Sequence, residues 1–271
     1  MDKELKTRVS DMILSYTNTL EDLNIKEMIL YSLKGGKCLR SIICLFLLDY
    51  FGIIEERLVV AIELLHSASL ILDDLPCMDN DDYRRNCLSF HKKYGIKNAY
   101  LVSTFILSEY NKIIYNLGNK IVFEYSLINI SKIILGQYSD LYNVIDLKKI
   151  KSENELQRRI YENNLKTTPF FINSFIIPFF LSSIQFNIKD IEDMALCFST
   201  AFQIYDDFID LENDKEKGSF NNVNILGKDR SYELYKQNIN KFYILLYKYK
   251  INKKLFVNIF SYLNSKLEGY I

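Results

Sequence analysis

Two clusters of acidic residues carry the clearest indication of chemistry in this sequence, and the second along the chain is the simpler. It lies in the stretch QIYDDFIDLEND, where Asp206 and Asp210 stand four positions apart. On a helix both carboxylates would project from one face about one turn apart, where like charges repel each other. Such a set of oxygen ligands suits Mg²⁺, which keeps waters and accepts phosphate oxygens as further ligands. A solvated acidic face is the other interpretation, and this pair alone leaves both open.

The first acidic cluster lies in the stretch SLILDDLPCMDNDDYRRN and is less ordinary. Its apolar start predicts a helix that ends in Asp73 and Asp74, and Pro76 then prevents regular continuation, so the chain must fold back. The returning segment carries more carboxylates and then two guanidiniums: Asp79, Asp81, Asp82, Arg84 and Arg85. Carboxylates that bind metal beside guanidiniums that bind phosphate are the two halves of a metal-diphosphate site. A merely hydrophilic loop would explain the charge but not the apolar helix before it.

A third element, SLKGGKCLRS, places two glycines directly before Lys37 and Arg40. The glycines let backbone N–H groups and these two cations approach an anion closely. The spacing is not that of a P-loop, so this element alone is a weak indication. The two histidines of the chain, His66 and His91, flank the first acidic cluster. For each of them, a structural role in the core or at a helix cap is the alternative to a role in binding.

The elements that must position these residues are predicted to be long helices. The 271 residues contain only three prolines and nine glycines, too few turn residues for a many-stranded sandwich or barrel. Segments Val59–Leu72 and Ile191–Leu211 are apolar on a wide face, as in helices packed inside a bundle. No fixed-period repeat or low-complexity linker divides the chain, so we expect one domain over residues 1–271. Loops are predicted near residues 34–36, 75–86, 94–97, 117–119 and 214–229.

The composition limits the classes of partner. Lys plus Arg number 34 and Asp plus Glu number 34, so no overall charge attracts nucleic acid or an anionic membrane. Five cysteines without a CxxC pair indicate reduced thiols. The N-terminal segment is predicted to be a first helix, because it lacks the pattern of a secretory signal. The apolar stretch Phe170–Ile184 falls short of the roughly 20 residues that a membrane span needs, which favours a buried core helix and no stable membrane insertion.

Five segments together resemble, in order and spacing, the motifs of trans-type isoprenyl diphosphate synthases of the farnesyl and geranylgeranyl diphosphate synthase type. The resemblance runs from about Gly35 to Asp210, and its first and second acidic motifs are similar to DDxxxxD and DDxxD. It implies an all-α isoprenoid synthase bundle around a central cavity, with the acidic motifs facing each other across its mouth, and a homodimer. The segments are GGKCLRS, LLHSASLILDDLPCMDNDDYRRN, GQYSDL, LKTTPF and FQIYDDFID.

The resemblance also implies a role for each matching residue. The diphosphate of isopentenyl diphosphate would be held by Lys37, Arg40, His66 and Arg85. The allylic diphosphate would be contacted by Arg84, Lys166, Thr167 and Gln203. Two or three Mg²⁺ ions per active site would be bound by Asp73, Asp79, Asp206 and Asp210. Asp74 and Asp207 would complete the catalytic aspartates.

The implied reaction is the head-to-tail condensation of these two diphosphates, and the length of its product is a question of size. Residues four and five before Asp73 would lie one helical turn below the diphosphate, where a bulky ring would close the chain cavity. They are Ser69 and Ala68, so we expect geranylgeranyl diphosphate in preference to farnesyl diphosphate. Phe105 or Tyr110 on a neighbouring helix could supply another floor.

The sequence departs from the family pattern most strongly after the second acidic motif. The segment DKEKGSFNNVNILG is about ten residues shorter than is usual, and Ser219 and Asn221 replace the usual lysine and threonine. Cys38, Ser41 and Asn86 are smaller departures. The short loop keeps open a second interpretation, a non-catalytic or weakly active subunit of a heteromeric synthase, although such subunits typically lose the aspartate motifs.

A class I terpene cyclase is a third interpretation, since it also combines an aspartate-rich helix with Mg²⁺. Its second motif usually mixes Asn, Ser or Thr with Glu, whereas this chain repeats aspartates in DDFID. The synthase therefore remains the favoured interpretation. We expect it in the cytoplasm, with a plastid as the alternative location.

Overall fold

The protein is described by a computed structural model that covers residues 3–142, 153–217 and 221–270. Within these residues the chain forms thirteen α-helices and one two-stranded antiparallel hairpin, which confirms the predicted all-α class. The strands are β1 (Tyr83–Arg84) and β2 (Cys87–Leu88). The helices are α1 (Lys3–Thr17), α2 (Leu23–Leu33), α3 (Leu39–Phe51), α4 (Glu56–Asp73), α5 (Phe90–Tyr94), α6 (Ile96–Asn116), α7 (Lys120–Tyr142), α8 (Glu153–Leu181), α9 (Ile188–Ile209), α10 (Leu211–Lys217), α11 (Asn222–Leu226), α12 (Lys228–Lys248) and α13 (Lys254–Leu267).

The chain divides into two compact units. The N-terminal unit comprises Asp2–Ser126 with Phe180–Ser182, and the C-terminal unit comprises Leu127–Phe179 with Ser183–Ile271. Each unit contains one of the two acidic clusters. The expectation of a single domain stays a prediction.

In the N-terminal unit, helix α4 is packed against α1, α2, α3 and α6. Its side chains are buried almost all round from Leu58 to Ala68, as the wide apolar face predicted. The buried run includes one charged residue, Glu63, which is only 2% exposed. Because α4 is held so firmly along its length, its polar end at Asp73 has a fixed position.

In the C-terminal unit, helices α9, α12 and α13 pack around a core of phenylalanines. The rings of Phe242 and Phe256 are 4.8 Å apart, and that of Phe198 contacts both. The apolar stretch from Phe170 is buried in α8, which continues to Leu181 through Pro178. The prediction of a buried core helix is therefore confirmed for residues 170–179, whereas Ile184 lies beyond the helix and is 37% exposed. Among the described residues, no helix is both long and apolar enough to cross a bilayer.

The predicted loops are confirmed in part. The chain turns at residues 34–36, between α5 and α6, and between α6 and α7, as expected. The predicted loop over 214–229 is wrong, because α10 continues to Lys217 and α11 follows at Asn222. Asn221 explains the second helix: its side chain accepts hydrogen bonds from Val223 N (2.9 Å) and Asn224 N (3.1 Å), which caps the helix start.

The cysteines and one histidine fit their structural interpretations. All five cysteines are free in the structure. His91 is buried, and its Nδ1 lies 3.1 Å from the hydroxyl of Ser89. These observations favour a structural role for His91.

Candidate active site

The first acidic cluster is built by a chain reversal at the end of α4. The helix ends at Asp73, and Pro76 follows within a tight turn in which Asp79 N donates a hydrogen bond to Asp73 O at 2.9 Å. Asn80 completes the turn with a positive φ of 53°, a conformation that asparagine tolerates better than most residues. The predicted fold-back is confirmed, and it brings the backbones of Asp73 and Asp79 together. Asp73 is half-buried and Asp79 is exposed.

A short hairpin follows the reversal and was not predicted. Strands β1 and β2 are joined by Arg85 and Asn86, whose φ angles are 54° and 61°. Two positive φ angles in succession make a type I′ turn, which normally carries glycine. Because the turn contains no glycine, it was not predicted from the sequence. The hairpin places Arg84 at the end of β1 and Arg85 at the first position of the turn.

Arg84 is directed back to the aspartate pair at the end of α4. Its Nε donates to Asp74 Oδ1 at 2.9 Å, a second guanidinium nitrogen contacts the same oxygen, and Asp81 lies 3.6 Å away. The side chain of Asp74 is only 3% exposed, and burial raises its pKa despite the opposing effect of Arg84. A carboxylate buried to this extent needs such a partner. Asp74 is therefore held in place by Arg84.

Arg85 joins the glycine element to the hairpin. Its Nη1 lies 3.4–3.5 Å from the carbonyl oxygens at the end of α2, those of Ser32, Leu33 and Lys34. A Cβ added to Gly36 would lie 3.0 Å from Arg85 Nη1 and 3.2 Å from a backbone oxygen. A side chain at position 36 would therefore crowd the guanidinium and the backbone of the loop.

His66 and Arg40 meet beside this loop. Arg40 Nη1 lies 3.2 Å from His66 Nε2. Burial lowers the pKa of His66 well below its usual range, and the charges of Arg40, Arg85 and Arg84 lower it further. The imidazole is thus neutral at pH 7, and its Nε2 can accept the hydrogen bond from Arg40. Lys37 is exposed nearby in sequence.

Glu63 is a residue of this region that was missed at the sequence level. Its Oε2 accepts a hydrogen bond from the hydroxyl of Ser41 at 3.0 Å, and Ser41 also donates to Val59 O at 2.9 Å. An added Cβ on Gly36 would lie 3.3 Å from Glu63 Oε1. Glu63 thus holds the start of α3 through Ser41 and lies close to the glycine loop. The available signal was a single charge inside the apolar run VVAIELLHSASLIL.

The second acidic cluster lies in the last turn of α9. Asp206 is half-buried, and Asp210 is the exposed C-cap residue whose N–H donates to Asp206 O at 2.9 Å. The predicted helical spacing is confirmed for this pair. The negative end of the helix dipole and the mutual repulsion of the carboxylates both disfavour their charges. A bound cation would offset both effects.

The carboxylate of Asp207, in the same motif, is hydrogen-bonded to a residue at the start of α11. Its Oδ2 accepts hydrogen bonds from Asn222 N (2.9 Å) and Asn222 Nδ2 (2.6 Å). Burial raises the pKa of Asp207 to about 7, although the hydrogen bonds from Asn222 oppose this rise. The structure therefore connects Asp207 to α11.

Helices α7 and α8 cross closely at Gly136. A Cβ on this glycine would lie 2.2 Å from Lys166 N, so only glycine permits the crossing. The crossing places Lys166 Nζ 2.8 Å from Asp140 Oδ2. Thr167 is half-buried next to Lys166.

Two glutamines of the C-terminal unit carry buried amide atoms without hydrogen-bond partners among the described residues. They are both side-chain atoms of Gln137 and Oε1 of Gln203. Unsatisfied buried amides are costly and indicate positions where a polar ligand would bind. Gln203 was predicted to bind substrate, whereas Gln137 and Asp140 were missed. The motif GQYSDL was the signal that could have found them.

The donor chemistry of both clusters fits a hard divalent cation. All candidate ligands are carboxylate oxygens, which Mg²⁺ prefers. Among the described residues, no group of three or more His, Cys, Asp or Glu side chains is close enough to hold a metal ion alone. Carboxylate oxygens suit an ion that keeps waters and shares phosphate oxygens with a substrate.

Comparisons with known proteins agree with this geometry. The polyprenyl synthetase family model matches residues 22–222. The farnesyl diphosphate synthase of Micrococcus luteus is 31% identical over 235 residues, which cover 82% of this chain and 77% of that protein. The geranylgeranyl diphosphate synthase of Pseudescherichia vulneris is 31% identical over 198 residues, 68% of this chain and 62% of that protein. The crystal structure of a geranyltranstransferase from Thermotoga maritima superposes with a TM-score of 0.83 at 28% identity, over 96% of this chain and 97% of that one.

Proposed function

The chain belongs to the polyprenyl synthetase family as a trans-isoprenyl diphosphate synthase, and from this premise we propose that it makes geranylgeranyl diphosphate in a Mg²⁺-dependent reaction. Short-chain prenyl transfer is common to the farnesyl and geranylgeranyl diphosphate synthases that it resembles. The observation that carries the proposal is the position of both aspartate motifs at helix ends, α4 and α9, where carboxylates need a cation.

Isopentenyl diphosphate is proposed to bind beside the glycine loop. Arg40 and Arg85 would hold its diphosphate, with Lys37 at the exposed end of the loop. The neutral His66 accepts from Arg40 and so directs the guanidinium without adding charge. Gly36 leaves the room that Arg85 needs. This grouping supports an anion site in the N-terminal unit.

The allylic diphosphate is proposed to bind through metal and cations. Asp73, Asp79, Asp206 and Asp210 would hold the Mg²⁺ ions. When bound, these ions stabilise the negative charge that develops on the departing diphosphate. Further contacts would come from Arg84, Lys166, Thr167 and Gln203.

In the proposed reaction the allylic carbon–oxygen bond breaks, and the electron pair leaves with the diphosphate. The double bond of isopentenyl diphosphate then attacks the allylic cation, and a new carbon–carbon bond forms. A proton is lost to the released diphosphate, so no protein base is needed. Cationic side chains such as Arg84 would lower the barrier to the first step by stabilising the negative charge that develops on the departing diphosphate.

Geranylgeranyl diphosphate is favoured by the small residues one turn before Asp73. Ala68 is 5% exposed and carries no side chain beyond Cβ, and the hydroxyl of Ser69 bonds to His66 O at 2.9 Å. On α6, the ring of Tyr110 is fully buried and its hydroxyl is hydrogen-bonded to Ser126. These observations support a cavity that is not closed by a ring on α4.

A homodimer in the cytoplasm, formed by one-domain subunits, completes the proposal. Helix α6 exposes large apolar side chains at Leu101 and Tyr115, which are 68% and 69% exposed. Exposed apolar faces of this kind favour association. Light scattering after size-exclusion chromatography would give the mass of two chains if this part is right, and of one chain if it is wrong.

The activity is tested by incubating the protein with radiolabelled isopentenyl diphosphate, Mg²⁺ and, in separate tubes, dimethylallyl, geranyl or farnesyl diphosphate. We expect labelled geranylgeranyl diphosphate that disappears when EDTA is added. Farnesyl diphosphate as the final product would correct the product length but not the reaction. Ala68→Phe should shift the product to farnesyl diphosphate or shorter, and an unchanged distribution would show that this position is not the floor.

A further inference from the structure

Two consecutive asparagines connect the second aspartate motif to the helix that follows it. Asn221 and Asn222 are 1% and 5% exposed, which is unusual burial for such polar side chains. Asn221 Nδ2 donates to Asp207 O at 2.8 Å and to Asp214 Oδ2 at 2.9 Å. Asn222 donates to Asp207 Oδ2 from both its backbone nitrogen (2.9 Å) and its amide (2.6 Å). The pair therefore joins α9, α10 and α11 at one point.

The point of attachment is next to the carboxylates that face the proposed metal. Successive helical residues are about 100° apart around the axis, so Asp206 and Asp210 are separated by about 40°, while Asp207 lies about 100° from Asp206 and about 60° from Asp210. The side chain of Asp207 is directed to α11 instead, where it accepts its hydrogen bonds from Asn222.

The end of α9 needs such support for a physical reason. The last turn of a helix lacks hydrogen-bond partners for its carbonyl groups and tends to fray. Here that turn also carries Asp206, Asp207 and Asp210, whose charges repel one another. Asn221 satisfies Asp207 O, and Asn222 satisfies the carboxylate of the same residue. Amides do this without adding a cation that would compete with metal.

We propose that Asn221 and Asn222 are positioning residues, which clamp Asp207 and so fix Asp206 and Asp210 in the geometry that binds the Mg²⁺-diphosphate. This inference rests on the proposed function. The backbone of Asn222 is also restrained by α12. Ser231, which is fully buried on that helix, donates its hydroxyl hydrogen to Asn222 O at 3.3 Å.

The first test compares Asn222→Ala with Asn224→Ala, a matched control on an exposed position of α11. We expect Asn222→Ala to lower kcat about tenfold and to raise the Mg²⁺ concentration for half-maximal rate about tenfold, as residues behind a metal ligand do. The KM for isopentenyl diphosphate should stay within about twofold, because the clamp lies in the C-terminal unit. Asn224→Ala should match the wild type. If Asn222→Ala lowers only the melting temperature, the clamp is structural and the proposal is wrong.

A second test covers the case in which Asn222→Ala does not fold. Exchanging the partners in the double variant Asp207→Asn with Asn222→Asp keeps one amide and one carboxylate in contact. We expect the exchanged pair to bind Mg²⁺-pyrophosphate within about threefold of the wild-type affinity, while Asn222→Asp alone, with two facing carboxylates, binds it more weakly. No recovery beyond either single variant would contradict a role through this contact.

Calorimetric titration with Mg²⁺ and inorganic pyrophosphate separates this inference from the proposed function. If the wild type binds Mg²⁺-pyrophosphate but makes no prenyl product, the proposed function fails, while weaker binding by Asn222→Ala still supports the clamp. Equal binding by both proteins, or no binding by the wild type, would overturn the clamp.

Discussion

The two aspartate clusters occupy equivalent positions at helix ends but are secured by different chemistry. At the end of α4, the buried carboxylate of Asp74 is held by the guanidinium of Arg84. At the end of α9, the carboxylate of Asp207 is held by the amides of Asn222. In both, the middle aspartate of the motif is hydrogen-bonded to an element further along the chain, β1 in one case and α11 in the other.

The difference between the clusters is one of charge. An ion pair neutralises part of the negative charge of the first cluster, whereas the hydrogen bonds from amides at the second add no positive charge, and burial raises the pKa of Asp207 to about 7. The first cluster should therefore depend on the cation of Arg84, and the second on hydrogen-bond geometry. Substitutions that remove charge and substitutions that remove only a contact distinguish the two.

The largest effect is expected from Arg84→Met, which leaves Asp74 buried without its cation. Breaking a buried ion pair from one side costs about 3–5 kcal/mol. The side chain of Arg84 is 35% exposed, so solvent screening reduces the expected loss to about 2–3 kcal/mol. Urea denaturation gives the free energy of unfolding.

Lys92→Met is the matched control for Arg84→Met, because Lys92 pairs with Asp82 at 2.7 Å in the same region but at the surface. Lys92→Met should lower the free energy of unfolding by less than about 1 kcal/mol. Equal losses in the two variants would contradict the special role of the buried pair.

The next largest effect is the difference between the losses of unfolding free energy caused by Asp74→Asn and by Asp207→Asn. The first substitution removes the charge that Arg84 requires, and should cost about 2 kcal/mol as a charged hydrogen bond is lost. The second keeps an oxygen that can accept from Asn222 and should cost about 1 kcal/mol or less. The comparison fails if Asp207→Asn is the more destabilising of the two in urea denaturation.

Acid sensitivity should come from the first region, because His66 lies there among arginines. Its pKa is lowered in the folded protein, so the unfolded chain takes up a proton below about pH 6.5 that the folded protein does not. His66 therefore makes the free energy of unfolding fall as pH falls, whereas Asp207, whose pKa is raised to about 7 in the folded protein, contributes with the opposite sign in the same pH range. The contribution of His66 to the slope is about 1.4 kcal/mol per pH unit once His66 is protonated in the unfolded chain. His66→Asn should lose this part of the slope between pH 6 and about 5, and an unchanged slope would contradict the assignment.

The smallest effect is expected from Asn86→Gly, which places glycine at a left-handed position of the hairpin turn. Asn86 has a φ of 61°, which asparagine already tolerates, so the free energy of unfolding should change by about 0.5 kcal/mol or less. Product formation should be unchanged, because the turn is already correct. A large loss of activity would show that this side chain, and not only the turn, serves the site.

The sequence allowed local features to be predicted and left contacts between distant segments unpredicted. The reversal after Asp74 followed from Pro76, and the pairing of Asp206 with Asp210 followed from helical spacing. The hairpin at Arg85 was missed because it lacks the glycine that marks such turns. A short segment rich in asparagine gave no sign of α11, whose start depends on one cap.

The contacts that secure each cluster could not be predicted for a related reason. Glu63 is one charge within an apolar helix, and only the packed structure shows that it supports Ser41. The bonds from Asn222 to Asp207 span 15 positions and depend on how α11 lies against α9. Spacing within a motif shows which residues share a helix face, but it does not show what holds the helix end.

The central claim is that both clusters serve one Mg²⁺-dependent prenyl transfer. It is tested most directly by the rate of labelled product formation in Asp73→Ala and Asp206→Ala beside the wild type, with Asp82→Asn as the control from the first cluster. We expect each of the two alanine variants to lose about 100-fold or more, as when a charge-stabilising group is removed, and the control to match the wild type. Full activity in either alanine variant, or no product from a correctly folded wild type with any allylic starter, would contradict the claim.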